Sequence, residues 1–293
     1  MLSWGISSPR NAFLTVEIFL DKISRDSLGE RWNGSPVLKT FMDETGIHDD
    51  AIMVAVGGYT SRPNHWRAWT KNWNVHLRKV PPGRQTIKVF HSTDCANYQG
   101  EFEGWDKGER DPYVAQLLPV MPSYELAGIV IGINLCDLET PMKGRSELLE
   151  MFGTPYTACF QWAISIIMDL AAKYGKGERM AFVHEVNNYK GEAQKAFEYV
   201  KKFRNPGAIP MTMTFGTKAD YPPLQAADVL AYEGGKFLKN PTGTIRRAWT
   251  ALDPDKSRII ARRYGKDNMP ELIRLLTNFR EKLLAQGWDG KVE

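Results

Sequence analysis

The stretch "LKTFMDETGIHDDAIMVAVGGYT", residues 38–60, contains two apolar segments separated by a polar connection. We predict one strand over Val37–Met42 and a second over Ala51–Thr60, because both are short apolar runs bounded by turn-forming residues. The connection "DETGIHDD" suits a hairpin between them. Because the first strand runs directly into Asp43 and Glu44, these acids belong either to a solvated turn or to a metal-dependent site.

Downstream of this hairpin, strands and helices alternate along the chain. From "LAGIVIGINL" at residue 126, we predict a strand, the helix Pro155–Lys173, the strand "RMAFVHEVN", the helix "KGEAQKAFEYVKKF", the strand "AIPMTMTFGT" and the helix "PPLQAADVLAYEGGKFL". A hairpin followed by such alternation predicts an α/β fold, with helices packed on both faces of a mixed sheet.

The pattern predicts a main domain with two extensions and an insertion. We expect an N-terminal helical extension at residues 1–36, the main domain at 37–240 and a basic helical extension at 241–293. An insertion at about 61–122 should contain a helix, the strand "TIKVFHSTD" and an exposed, glycine-rich loop at 97–112. The helix of the insertion should bury one face, formed by Trp66, Trp69, Trp73 and Leu77.

The charge of the chain is small overall but unevenly distributed. The net charge is +4, yet residues 236–293 hold 13 Lys and Arg against seven Asp and Glu. This excess is compatible with a nucleic-acid backbone near the C-terminal segment. Solvated helix faces are the alternative explanation. The apolar and charged fractions, 43% and 25%, exclude disorder as a description of the whole chain.

Several other classes of protein are disfavoured. The three cysteines, Cys95, Cys136 and Cys159, form no CxxC pair, which argues against a disulfide framework and a zinc knuckle and fits a reducing cytoplasm. No apolar run reaches the roughly 18 residues of a membrane span, and the first residues lack the order of a signal peptide. Neither a GxxxxGK[ST] phosphate loop nor a dinucleotide-binding fingerprint is present. We therefore expect a cytoplasmic protein without a membrane segment.

Three acidic residues lie within or at the end of apolar elements, where a carboxylate is costly unless it is paired or bound to a metal. Asp43 shares a side of its strand with Phe41, and Glu44 points the other way. Asp228 lies in the apolar helix "LQAADVLAYEGG", with Gln225 one turn before it. Glu185 ends the strand "MAFVHE". Taken singly, each also fits a structural role as a turn residue, a hydrogen-bonded carboxylate or a solvated strand end.

Together, the three carboxylates predict a site for Mg²⁺ or Mn²⁺, because these hard ions prefer oxygen ligands. Such ions activate water and stabilise the leaving oxygen of a phosphodiester. The neighbouring motif "FHSTDC" contains His91, and a nucleophilic pair of Cys95 and His91 can be imagined. A helix N-cap at Ser92 or Asp94 is the structural alternative.

Three motifs in this order resemble the domain-of-unknown-function 3800 family: the opening "MDETG" followed by "VAVGGYT" and a Trp-rich helix, then "FHSTD", and then "PLQAADVLAY". The resemblance covers residues 38–238. It implies an RNase H-like fold, with a mixed five-stranded sheet whose first strand is central and lies beside the strand that carries the second acidic residue.

The resemblance also implies roles for individual residues. Asp43, with Glu44 beside it, matches the first acidic position of the family, and Asp228 matches the acidic position of its last helix. Gln225 and His91 match the accompanying polar positions, and Glu185 fits the acidic position of the fourth core strand. The helix Pro155–Lys173 lacks the inward-facing acid that RNase H enzymes often place there, so a four-carboxylate, two-metal site is not predicted.

Two functions follow from these residues. The leading hypothesis is a metal-dependent nuclease or phosphodiesterase acting on DNA or RNA, in which Asp43, Glu185 and Asp228 hold Mg²⁺ or Mn²⁺. In this hypothesis His91 or Glu44 assists proton transfer or orients a ligand, and Gln225 is accessory. The alternative is a non-catalytic RNase H-like interaction module, for example in a mobile-element or phage-defence system. The distance between the Asp43 and Asp228 carboxylates discriminates between the two.

Overall fold

The computed structural model describes residues 37–48, 50–124, 126–145, 147–148, 153–174, 179–203, 209, 211–253 and 258–285. The expected N-terminal extension, residues 1–36, lies outside the described residues. The strands are β1 Val37–Thr45, β2 Met53–Ser61, β3 Ala127–Asn134, β4 Arg179–Glu185, β5 Met211–Gly216 and β6 Ile259–Tyr264. The helices are α1 Pro63–Leu77, α2 Ser92–Asn97, α3 Lys107–Leu117, α4 Leu135–Met142, α5 Pro155–Tyr174, α6 Lys190–Phe203, α7 Leu224–Lys239, α8 Arg247–Leu252 and α9 Met269–Ala285.

The strands form one mixed sheet in the order β5-β4-β1-β2-β3-β6. β1, β2 and β3 are antiparallel neighbours, whereas β4 runs parallel to both β1 and β5, and β6 runs parallel to β3. The α/β class and the mixed sheet are therefore confirmed. β1 is central and lies beside β4, as the resemblance to an RNase H-like sheet implied.

The sheet has six strands where five were expected. The sixth, β6, comes from the C-terminal region that was expected to be helical throughout, so that expectation was wrong for residues 259–264. The segment "IIARRY" is short, and its pairing with β3 is a long-range contact that local periodicity does not reveal. The helical expectation holds for α9 further along the chain.

The sheet separates two hydrophobic cores, which confirms helices on both faces. On one face, Met42 and Phe182 pack with residues of α5 and α6. On the other face, Phe41 and Val183 pack with α1 and α7. None of the helices in the described ranges has the length and apolarity to cross a membrane.

The insertion begins with α1 as expected. The residues predicted for its buried face are all buried, namely Trp66, Trp69, Trp73 and Leu77. The predicted strand "TIKVFHSTD" was wrong, because residues 86–91 are irregular and α2 follows. In a strand, backbone amides donate to a neighbouring strand, but two amides of this segment donate to side chains of α7 instead. Phe90 N donates to Gln225 Oε1 at 2.9 Å, and Ser92 N donates to Asp228 Oδ2 at 2.6 Å.

The rest of the insertion also differs from the expected order. Residues 97–112 were expected to be an exposed loop, but they include a 3₁₀ turn and the start of α3. The reason is a capping box, in which the Asp106 side chain and the Glu109 side chain each accept from the other's backbone N–H. At α2, the N-cap position is His91 rather than Ser92 or Asp94, and the His91 side chain forms no capping hydrogen bond.

A close approach between α7 and the centre of the sheet sets the position of Asp228. Gly57 lies opposite Asp43 in the pairing of β1 and β2. A Cβ on Gly57 would lie 2.8 Å from the backbone of Ala231 in α7. The absence of a side chain at Gly57 therefore lets α7 pack directly over β1 and β2, with Asp228 one turn before the contact.

A candidate acidic site around Lys218

Three carboxylates meet at the ammonium group of Lys218. Lys218 Nζ lies 2.9 Å from Asp43 Oδ2 and 3.6 Å from Asp228 Oδ1, and it also forms an ion pair with Glu185. The side chains of Lys218, Asp43 and Asp228 are less than a tenth exposed. The structure therefore brings together the three acidic residues that the sequence singled out, at one cation position.

The topology of the sheet places Asp43 and Glu185 on one face. β1 and β4 are parallel neighbours, so their carboxyl ends lie side by side. By strand alternation Asp43 shares the face of Phe41, and Glu185 shares the face of Val183. Both of those apolar residues pack against the α7 side of the sheet. Lys218 follows shortly after β5, which is the neighbour of β4.

The third acid, Asp228, is held by two different partners. Its Oδ2 accepts the hydrogen bond from Ser92 N, at the start of α2, while its Oδ1 faces Lys218. Gln225, one turn earlier, accepts from Trp73 Nε1 at 2.9 Å as well as from Phe90 N, and its Nε2 donates to the Lys218 carbonyl at 3.3 Å. Gln225 therefore positions the surrounding segments, and none of these bonds involves the carboxylates.

The ionisable groups of the cluster shift one another's pKa values. Burial raises the pKa of the Asp43 carboxyl well above its usual range, although the Lys218 ammonium opposes this and the neighbouring carboxylates add to it. Burial alone would also raise the pKa of Glu185, but a hydrogen bond from Asp43 and the charge of Lys218 lower it overall.

Lys218 remains a cation in this environment. Burial alone would lower the pKa of its ammonium, but the charges of Asp228, Asp43 and Glu185 outweigh burial and raise it. A buried ammonium surrounded by carboxylates is paired, as a buried charge must be.

Glu44 faces the opposite side of β1, as predicted from strand alternation. Its Oε2 is buried and lacks a hydrogen-bond partner among the described residues, with His184 Nε2 3.8 Å away. His184 Nδ1 donates to the Glu185 carbonyl at 2.8 Å, and its Nε2 forms a hydrogen bond with the Tyr156 hydroxyl at 3.1 Å. Glu44 is thus separated from the Lys218 cluster by the strand but lines the same cleft.

His91 lies at the rim of the site rather than in the cluster. Its side chain is 41% exposed, and its Nδ1 is 3.8 Å from Asp94 Oδ1. Cys95, the other half of the imagined nucleophilic pair, is buried, and burial raises its pKa to about 12. Such a thiol is almost wholly protonated at neutral pH, so the arrangement does not support a Cys–His nucleophile.

The cluster opens into a cleft of about 500 Å³. The cleft is lined by the three carboxylates, Lys218, His91 and Glu44, by residues 45–48 and 50–53 around the hairpin, and by Lys236 and Lys239 at the end of α7. The cleft therefore combines carboxylates, which attract a cation, with lysines, which attract the negative charge of a phosphate-bearing ligand.

Three arginines of the basic C-terminal segment form structural contacts within the protein. Arg246 forms two hydrogen bonds to the Glu233 carboxylate, at 2.7 and 2.9 Å. Arg258 donates to the carbonyls of Pro122 and Tyr124, and Arg263 lies 3.5 Å from Asp137. These arginines are therefore tied to the fold, which reduces the charge that a ligand could meet.

The donor chemistry of the cluster fits a hard divalent ion, because three carboxylates already share one cation. The ammonium of Lys218 occupies the space among the three carboxylates. Within the described residues, no group of three His, Cys, Asp or Glu side chains is arranged to hold a metal.

Lys218 is the residue that the sequence reasoning missed. It lies in "GTKADYPP", a connection with no apolar periodicity and no recognised motif. Its position in the sequence, directly after a strand and before the helix that carries Gln225 and Asp228, was the one indication of a role in the site. This position predicts a contact with Glu185 only when β5 is known to lie beside β4.

Comparisons with known proteins identify no family. No family model matches the sequence, and no curated protein matches it. Among solved structures, the chain is similar to one described as the PCNA:RNase HII complex from Archaeoglobus fulgidus, with 11% identity and a TM-score of 0.35 over 85% of this chain and 90% of that one. It is also similar to Bst-RNase HIII in complex with Mn²⁺, with 13% identity and a TM-score of 0.38 over 87% of this chain and 73% of that one.

Proposed function

We propose that the cleft is the active site of a metal-dependent phosphodiesterase that acts on nucleic acid, in a domain of RNase H-like architecture. The observation that carries this proposal is the convergence of Asp43, Glu185 and Asp228 on a single cation position. Membership of the domain-of-unknown-function 3800 family and a cytoplasmic location are parts of the same proposal.

The three carboxylates would hold Mg²⁺ or Mn²⁺, which would stabilise the negative charge that develops on the phosphate oxygens. Two other residues of the cleft would serve the reaction directly. Glu44, which lines the same cleft from the opposite face of β1, would assist proton transfer or orient a ligand. His91, at the rim, would orient the phosphate or donate a proton to the leaving oxygen.

The substrate would enter along the lysine-bearing wall of the cleft. Lys236 and Lys239 line the cleft from the last turn of α7, where they would contact the phosphate backbone. Contacts to phosphates position a nucleic acid without reading its sequence.

The proposal predicts cleavage of nucleic acid that requires Mg²⁺ or Mn²⁺. Single-stranded, duplex and hybrid substrates should be incubated with the protein in the presence of each ion and of a chelator. Asp43→Asn and Asp228→Asn should lower the cleavage rate by roughly 100-fold or more, because each removes a charged ligand of the ion. Asp220→Asn is the matched control, because Asp220 is exposed in the same connection as Lys218 and accepts from Thr217 instead.

If the wild type cleaves none of these substrates, or if both site variants cleave as fast as Asp220→Asn, the phosphodiesterase proposal is wrong. The second candidate, a non-catalytic interaction module, is favoured by one observation: the Lys218 ammonium already compensates the carboxylates. A protein that binds nucleic acid but cleaves none with either ion would support that candidate.

A further inference from the structure

We infer that Lys218 is a tethered competitor of the metal ion: its ammonium occupies the cation position among Asp43, Glu185 and Asp228, and a divalent ion binds there only when the ammonium leaves. This inference rests on the proposed function, because it takes the three carboxylates to be the ligands of the ion.

The geometry makes the two cations mutually exclusive. One nitrogen pairs with oxygens of all three carboxylates, in a site where its side chain is 4% exposed. An ion bound to the same oxygens would lie within a few ångströms of the ammonium. Like charges at that separation in a buried site repel strongly, so one of them must leave.

The side chain of Lys218 has both the freedom and the space to leave. Lys218 lies in the connection between β5 and α7, outside any helix or strand. Its carbonyl is anchored by Gln225 Nε2, so the main chain is held while the flexible four-carbon side chain turns. The adjoining cleft of about 500 Å³, which Lys218 itself lines, provides the space.

The consequence is a site with two states, one holding the ammonium and one holding the ion. The ammonium compensates the buried carboxylates when no ion is bound, which avoids their mutual repulsion. The same contact lowers the apparent affinity for the ion, because only molecules with a displaced ammonium are competent to bind it.

Calorimetric titration of the full chain with Mn²⁺ tests the inference. Lys218→Met removes the ammonium and keeps most of the side-chain volume, so the Kd for Mn²⁺ should fall at least about tenfold relative to wild type. Lys71→Met is the matched control, because it removes the same charge from an exposed position of α1 outside the cleft. Its Kd should stay within about threefold of wild type.

An unchanged or higher Kd in Lys218→Met overturns the inference. Because the measured quantity is binding, the result is independent of cleavage. Tighter Mn²⁺ binding in a protein that cleaves nothing would support the inference and overturn the phosphodiesterase proposal, whereas cleavage with an unchanged Kd would do the reverse.

A second measurement on the wild type covers the case in which Lys218→Met does not fold. Reductive methylation of lysines, followed by mass spectrometry, measures the accessibility of each amine with and without Mn²⁺. Methylation of Lys218 should rise at least about fivefold when Mn²⁺ is bound, while the exposed reference Lys107 should be unchanged. Equal methylation of Lys218 in both conditions, at saturating Mn²⁺, overturns the inference.

Discussion

At the scale of single residues, Gln225 links the insertion, α7 and the Lys218 connection. Its carbonyl oxygen accepts from Trp73 Nε1 and Phe90 N, and its amide nitrogen donates to the Lys218 carbonyl. Gln225 is 1% exposed, so water cannot replace these partners. The arrangement of the acidic site therefore depends on a neutral residue that does not contact the carboxylates.

Replacing Gln225 by Met should lower the free energy of unfolding by about 2–4 kcal/mol. Methionine fills a similar volume, but it leaves two buried donors and one buried carbonyl without their present partner. Urea unfolding followed by circular dichroism measures the change. Gln194→Met is the control, because Gln194 donates to Glu198 in an exposed hydrogen bond along α6, and it should change stability by less than about 0.5 kcal/mol. Equal unfolding midpoints for the two variants would contradict the role given to Gln225.

The sequence singled out the three carboxylates that meet at Lys218, but it did not single out Lys218 itself. Strand alternation alone separated Asp43 from Glu44, and the apolar surroundings of Asp228 marked it as a buried charge. Lys218 lies in an irregular connection, where no periodicity constrains the direction of a side chain. Its role depends on the order of strands in the sheet, which is a long-range property of the fold.

At the scale of secondary-structure elements, the contact between α7 and β2 controls the position of Asp228. Gly57 provides the space for this contact, because a Cβ there would collide with the backbone of Ala231 rather than with a movable side chain. Helix–sheet packing thus accounts for Gly57 in the motif "VAVGGYT". No contact with a ligand is needed to explain this glycine.

Gly57→Ala should destabilise the protein by about 1–3 kcal/mol, since α7 must shift away from the sheet. It should also weaken Mn²⁺ binding, because Asp228 moves with α7 and Asp43 does not. Gly191→Ala is the matched control: Gly191 lies in α6, and a Cβ added there would meet no atom within 4 Å, so the change should be neutral or stabilising. Calorimetric unfolding and Mn²⁺ titration of both variants test the two effects, and a Gly57→Ala protein as stable as Gly191→Ala would contradict this packing argument.

The elements that were predicted correctly are those with strong local periodicity. The helices α1, α5, α6 and α7 each show an apolar face or an apolar run in the sequence. The strand predicted for residues 86–94 was wrong because the amides of this segment bond to side chains. Phe90 N and Ser92 N donate to α7, more than a hundred residues away, and Lys88 N and Val89 N donate to the Glu101 carboxylate. The strand β6 was missed because its pairing partner, β3, is equally distant in sequence.

At the scale of the whole molecule, the site is assembled from four segments that are far apart in the chain. β1 and β4 supply two acids at adjacent carboxyl ends, the connection after β5 supplies the ammonium, and α7 supplies the third acid. The insertion completes the site, because α2 donates a backbone hydrogen bond to Asp228. The four segments converge only in the folded sheet, so the site and the fold depend on each other.

The central claim is that Asp43, Glu185 and Asp228 form one cation site that Lys218 and a divalent ion share in turn. A crystal of the full chain soaked in Mn²⁺, with anomalous diffraction data, tests it most directly. The account predicts an anomalous peak bonded to Asp43 and Asp228, with the Lys218 ammonium turned into the cleft. Data without a peak among these carboxylates, and with the ammonium still between them, would contradict it.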